Sequence, residues 1–399
     1  MNKLLERKSE IISLVLILLG FNVVYGLEVI VPSNINWLMS AYHDWGQHYL
    51  GWAFYKEEPW HFPLGHIDNF NYPAGTNIGY TDSIPLLAMF FKLFSFILPD
   101  NFQYFGVWLL LCHLLVGHFT FKILKLYNIN NVIIILCVLL ISFNPTLVFR
   151  GLHPALCGHW LVIASLYYYL KPATEKNTNE INKKQILIVV LSALINPYLF
   201  LMVVGFNLIL PFKHYFFYKL ISLKQFIFYF IIAILAVLLS WYLLGMISIN
   251  NSVTMEVANS YGLYSFNLNS FYNSSGFSTF FPELKSVGPQ QYEGFAYLGL
   301  GVFILLALSI LIFVKIKEET FKQIKFYLPL FILSILLALF AVTNLVTLDD
   351  ETLLKYWMPE IVYDEVGCAG PRRRWEGTSD VLPCPNVRDP SGPENRRPA

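Results

Sequence analysis

Few ionisable residues interrupt this chain, and those able to do chemistry sit in three polar stretches far apart in sequence. The first is HDWGQHYLGWAFYKEEPWHFPLGHIDNFNYPAGTNIGYTDSIP, residues 43–85. In it Asp44 closely follows an apolar segment and stands among Trp45 and Trp52. Such surroundings can tune a carboxylate as a general base; the plainer role is a solvated loop aspartate or a helix cap. Asp82 lies three residues before Pro85, the spacing of an N-cap ahead of a Pro-led helix, and a cap can also face a substrate. The four histidines of this stretch, His43, His48, His61 and His66, pair at i, i+5. That does not match a helical i, i+4 metal pair, and no cysteine or carboxylate stands at zinc spacing. They read as structural or hydrogen-bonding groups, with His48 among the candidate binding residues, so no metal or other cofactor is assigned.

The second stretch, FRGLHPALCGHW (149–160), holds Arg150, with no other arginine between Arg7 and the chain's last thirty residues. His153 and His159 stand close to it. An arginine at a membrane boundary can snorkel to headgroups; flanked by histidines it is equally a clamp for an anionic headgroup such as a phosphate. In the third stretch, GPQQYEGFAYLGLG (288–301), Glu293 precedes a helix. It either favours that helix's positive end or faces the same cavity as Asp44. Asn267, Asn269 and Gln291 add neutral groups suited to sugar hydroxyls.

The elements that must position these residues are membrane helices. The 399 residues are 56% hydrophobic and 13% charged, against about 25% charged in a soluble domain. The fold class expected is an all-α integral membrane protein. Apolar runs long enough for a span fall at 11–31, 103–124, 131–149, 155–171, 185–203, 204–219, 224–247, 295–315 and 326–346, about nine in all. The first mimics a signal peptide but is longer than a usual h-region and lacks a small-residue cleavage site. Asn196-Pro197 and Pro211 interrupt the pair near 185–219. Segment 83–98 is apolar but short and carries Lys92.

If 83–98 lies along the surface, lysine and arginine sort by side. Lys3, Arg7, Lys8, Lys122, Lys125, Lys171, Lys184, Lys213 and Lys325 are among those on one side. Before the tail, the other side has Lys56, Lys92, Arg150 and Lys285. The positive-inside rule makes the first side cytoplasmic. The long loops 32–102 and 248–294, and the short one at Arg150–His153, are then external. The expected organisation is a transmembrane domain over 1–350 and a tail over 351–399. Six of the eight arginines lie in that tail, where lysine disappears after Lys355. Its Pro-rich sequence reads as disordered, and the abrupt change in composition reads as an aberrant, truncated end. Cys112, Cys137 and Cys157 read as small core residues. No basic arm points to nucleic acid.

A first helix, an outer loop with an early Asp, a Pro-led interfacial helix and then a bundle resemble the GT-C superfamily of membrane glycosyltransferases. More closely, DWGQHYLGWAFYKEEPWHFPLG, YPAGTNIGYTDSIPLLAMFFKLF, FRGLHPALCGHW, YGLYSFNLNSF and QYEGFAYLGLG resemble an uncharacterised family of bacterial inner-membrane proteins placed near it. The resemblance covers roughly residues 11–350. It implies a GT-C-like first loop carrying interfacial helices, and a polyprenyl-phosphate-linked sugar donor used on the outer face of the bacterial inner membrane. The acceptor would be a glycan, lipid or protein hydroxyl. It further implies Asp44 as the base, inversion at the anomeric carbon, and Arg150 with His153 or His159 stabilising the departing phosphate. Two departures stand out: many GT-C enzymes carry two adjacent acidic residues where His43-Asp44 stands, and relatives continue beyond the point where this tail begins. A lipid or glycan transporter would instead need ionisable residues deep in spans and paired broken helices, and Asn196-Pro197 is the single clear break. A non-catalytic scaffold on the same fold is the third reading.

Overall fold

The computed structural model describes residues 2–39, 44–247, 264–313 and 324–355. His43 and the tail beyond Lys355 lie outside them. The described chain is mostly helical. Among the described residues, five helical stretches are long and apolar enough to cross a membrane: Glu6–Tyr25, Phe105–Lys125, Asn131–Leu152, Pro197–Phe217 and Leu223–Leu244. Two further apolar helices, Leu300–Ile312 and Leu328–Val342, are shorter. The outward faces stay apolar: Phe228, Leu235 and Leu239 on one helix, and Phe331, Leu336 and Leu339 on another, are exposed. Stripes of that kind are stable against lipid and costly in water.

In chain order the helices are α1 (Asn2–Tyr25), α2 (Trp45–Glu57), α3 (Pro85–Lys92), α4 (Phe105–Lys125), α5 (Asn131–Ser142), α6 (Pro145–Phe149), α7 (Trp160–Leu170), α8 (Thr178–Ile195), α9 (Pro197–Phe212), α10 (Leu223–Leu244), α11 (Leu300–Phe313) and α12 (Leu328–Val342). Several expected limits move. The first helix stops at Tyr25 because Gly26 turns to φ 78°, and a 3-10 turn, Leu27–Ile30, follows. The segment expected at 155–171 is helical only from Trp160, because Pro154–Cys157 forms another 3-10 turn. The expected division at 203/204 falls instead at Asn196. That residue is extended (φ −159°, ψ 130°), accepts from the Tyr198 N–H through its side chain, and precedes Pro197 at the first helical position. A residue before proline is pushed out of the α region, so this dipeptide sets a helix boundary. Pro211 lies near the end of α9, which passes into a π turn, Lys213–Phe217. The eight residues of α3 reach only about 12 Å, too short to span.

Helix ends meet at two poles. At one, Lys125 lies 3.8 Å from Glu6 and His118 lies 2.7 Å from Glu10, while the Tyr169 hydroxyl donates to Phe326 O at 2.6 Å. At the other, the segment after α2 caps α10. Leu64 N and Gly65 N donate to Leu243 O and Leu244 O at 2.9 and 3.1 Å, and Asn77 Nδ2 adds a 2.6 Å bond to Leu244 O. Terminal helix carbonyls have no partner within the helix, so this docking satisfies them. Two-residue strands β1 (His66–Ile67) and β2 (Thr76–Asn77) pair antiparallel inside the same segment.

From α2 to the start of α4 the buried core includes Trp52, Tyr55, Ile78, Ile84, Tyr104 and Phe105. Trp52 Nε1 donates to Phe102 O at 2.8 Å and Gln103 Nε2 to Val29 O at 2.8 Å, tying the loop to both of its ends. Gly106 lies so close to Val29 that a Cβ would sit 1.7 Å from its carbonyl oxygen; only glycine admits that approach. Residues Leu345–Leu348 (β3) and Glu351–Lys355 (β4) form an antiparallel hairpin turned by Asp349 and Asp350. The boundary expected at 350 falls inside this paired unit.

Candidate functional site

α2 begins immediately after Asp44, whose carboxylate makes no cap bond to it and is 64% exposed. The helix is anchored by Trp45 Nε1, which donates to Gly151 O at 2.9 Å. That bond brings Asp44 to the tight turns between α6 and α7. Asn144 caps α6 and Pro145 starts it; two 3-10 turns, Arg150–Leu152 and Pro154–Cys157, then present Arg150 and His153 on the same side. Trp108 Nε1 on α4 pins this region through Pro154 O at 2.7 Å.

Glu293 arrives from the third stretch. It lies in a 3-10 turn, Pro289–Gly294, well before α11 starts at Leu300, so it caps no helix. Its carboxylate accepts from Arg150 Nη1, and its backbone carbonyl accepts from Nη2. His153 Nε2 lies 3.3 Å from Glu293 Oε1, and Nδ1 lies 3.9 Å from Asp44 Oδ2. Residues 44, 150, 153 and 293 thus converge at one end of the bundle. The Arg150 and Glu293 side chains keep only 15% and 20% of their exposure, a setting in which a charge needs its partner.

The charges tune one another. Burial alone would raise Glu293, but the hydrogen bond to His153 and the Arg150 guanidinium outweigh it and hold the carboxyl down at about 2. The same hydrogen bond raises His153 above its ordinary 6.5, against burial and with help from Asp44. That shift favours the imidazolium form of His153, which stands beside two carboxylates.

His48, on α2, packs its ring 6.0 Å from that of His153 and is 1% exposed. Neither of its nitrogens has a hydrogen-bond partner among the described residues. Burial lowers it, while the charge of Asp82 opposes that. Asp82 thus reaches the cluster through its field on His48 and does not cap α3. The N-cap of α3 is Ile84, in the left-handed region at φ 56°, and makes no side-chain cap bond. His159 stands apart: it makes no ion pair with Asp44 or Glu293 among the described residues.

Beside Glu293 opens a cavity of about 330 Å³ whose lining includes Phe149, Asn273, Tyr292 and Phe295. The amides expected to meet sugar hydroxyls also line it, but they are engaged. Asn267 Nδ2 donates to Gln291 Oε1 at 3.1 Å and to Asp349 O at 2.8 Å. Gln291 Nε2 donates to Ser265 Oγ at 3.0 Å and Thr347 Oγ1 at 2.8 Å, and Asn269 Nδ2 reaches Asp349 Oδ1 at 2.9 Å. They bolt this stretch to the β3–β4 hairpin. Sequence reasoning missed the hairpin and Tyr292; alternating LVTL and ETLLK around Asp349-Asp350 was a hairpin signal.

Among the described residues, Glu58, His61 and Asp68 form the one histidine–carboxylate group whose ligating atoms all lie within 4.8 Å of one another. Asp44, Arg150, His153 and Glu293 are not part of it.

A bundle with apolar outer faces and a paired charge cluster at one end defines a helical membrane protein with a polar site. The sequence matches a domain of unknown function, DUF6311, over residues 14–368, and the chain belongs to that family. No curated protein and no solved structure matches it.

Proposed function

We propose that the chain is a GT-C-like membrane glycosyltransferase that moves a sugar from a polyprenyl-phosphate donor to a hydroxyl of a glycan, lipid or protein. One observation carries this reading. An exposed carboxylate, Asp44, stands beside an arginine–histidine pair at one end of an apolar bundle, where a lipid phosphate and a hydroxyl acceptor could meet. Asp44 deprotonates the acceptor. As the sugar–phosphate bond breaks, Arg150 and protonated His153 stabilise the charge left on the phosphate. Among the described residues, three of the five guanidinium donors remain beyond the two directed at Glu293.

The topology proposed with it has about nine crossings in a bacterial inner membrane. The N-terminus is cytoplasmic and loops 32–102 and 248–294 are external. The lysines gathered at the pole opposite Asp44, among them Lys122, Lys125, Lys184 and Lys213, support this sidedness. The test is sugar transfer by the purified chain in liposomes containing polyprenyl-phosphate sugars. Asp44→Asn should lower turnover by about 10²–10⁴-fold without changing the folded yield. Full activity in that variant would remove Asp44 from the mechanism.

A non-catalytic scaffold is the second reading, and the Arg150–Glu293 pair favours it, because that pair also works as a clasp between two loops. The two readings differ in whether Asp44 matters at all.

A further inference from the structure

The turn that follows α2 gathers a second group of charged residues with no part in the proposed transfer. Glu58, at the end of α2, has a side chain only 2% exposed. Its Oε2 accepts from the backbone N–H of Asp68 at 3.2 Å. His61 Nε2 faces Oε1 across 3.6 Å, too far for a hydrogen bond. That nitrogen is buried and has no other partner among the described residues. The ligating atoms of Glu58, His61 and Asp68 all lie within 4.8 Å of one another. His66 adds a second imidazole: its Nε2 is 3.0 Å from Asp68 Oδ1, and its ring centroid is 5.7 Å from that of His61.

We propose that Glu58, His61 and Asp68, with His66 as fourth ligand, form a binding site for a first-row divalent cation, Zn²⁺ by preference. Imidazole nitrogens with carboxylate oxygens suit Zn²⁺ better than Mg²⁺ or Ca²⁺, which take oxygen ligands. Tetrahedral zinc with bonds of about 2.0–2.2 Å places its ligands roughly 3.4 Å apart. The separations among Glu58, His61 and Asp68, none above 4.8 Å, therefore close by at most about 1.4 Å on binding. Asp68 has the freedom for this, since its side chain is 65% exposed. Two carboxylates match the charge of one divalent ion. Without it, Lys92, seated 3.9 Å over the Tyr55 ring, offsets part of the Glu58 charge. The ligands span residues 58–68, which run through the Leu64-Gly65 turn that caps α10 and on through β1. A bound ion closes that turn and serves as a structural clip.

The test uses tag-free, full-length protein in detergent, stripped with chelator and titrated with ZnCl₂ by calorimetry, with metal content measured after gel filtration. One Zn²⁺ per chain is expected, with a rise in Tm that equal Mg²⁺ does not give. Asp68→Asn and His61→Gln should each weaken binding at least ~10-fold and abolish the Tm rise. Asp68→Asn, at an exposed side chain, keeps the test decisive if Glu58 or His61 variants fold poorly. Absence of stoichiometric Zn²⁺, or wild-type affinity in folded Asp68→Asn and His61→Gln proteins, overturns the site. Neither result bears on Asp44, so failure here is separable from failure of the transferase reading.

Discussion

The two poles of the bundle use ionisable residues in opposite ways. At the lysine-rich pole, polar groups finish helices. Lys213 donates to Tyr169 O, Asn182 Nδ2 reaches His214 Nδ1 at 3.0 Å, and the Tyr229 hydroxyl donates to Asn179 Oδ1 at 2.6 Å. These are local repairs within the bundle. At the other pole, Arg150, His153 and Glu293 join loops 143 residues apart in sequence and leave one carboxylate, Asp44, facing out. The cluster is thus assembled from separate loops and keeps one exposed carboxylate, Asp44, at its edge, whereas the opposite pole needs only to be finished.

Breaking the loop cluster should therefore cost most. Arg150→Ala leaves the largely buried Glu293 with His153 alone beside it and should lose about 3 kcal/mol of stability, read as a drop in Tm in detergent. Adding Glu293→Gln should recover most of that loss, since the two residues act as a pair.

The His153–Glu293 bond comes next, at about 1.5 kcal/mol, and it sets a pH window. His153 is raised in the folded protein by its bond to Glu293, so its contribution is complete below its ordinary 6.5 and is lost as pH rises through the higher folded value. Glu293 is held at about 2 against an ordinary 4.5, so its contribution is complete above 4.5 and fades as pH falls toward 2. Thermal stability should peak between these limits. The alkaline decline should vanish in His153→Gln.

At the lysine-rich pole, Lys213→Met removes one buried charge and one bond to a carbonyl. These effects oppose each other, and the net change should stay under about 1 kcal/mol. Smallest of all, Asp44→Asn should move stability by less than about 0.5 kcal/mol, because its carboxylate is exposed and caps nothing. A large loss in that variant would make Asp44 structural.

Residue type carried much of this from sequence. Asp44, Arg150 and Glu293 stand out because charge is rare in an apolar chain, and Asn196-Pro197 announces a break through proline sterics. Pairing was not legible. Nothing local links Arg150 to Glu293, so a guanidinium expected to be open to a headgroup is instead partly engaged. Asp82 carried a cap signature, but the chain enters α3 through left-handed Ile84, a conformation that spacing alone does not encode. Asn267 and Gln291 are of a type suited to sugar hydroxyls, but the Leu345–Lys355 hairpin, not recognised from sequence, engages them.

The most direct test follows from Glu293 sharing Arg150. Binding of polyprenyl phosphate to the purified protein should tighten about 10-fold in Glu293→Gln, because the lipid phosphate no longer competes with a carboxylate. It should weaken in Arg150→Lys, where the planar fork is lost, and stay unchanged in Asp44→Asn. Folded protein that binds no polyprenyl phosphate, or binds it with equal affinity in all three variants, would contradict an anionic headgroup site at Arg150.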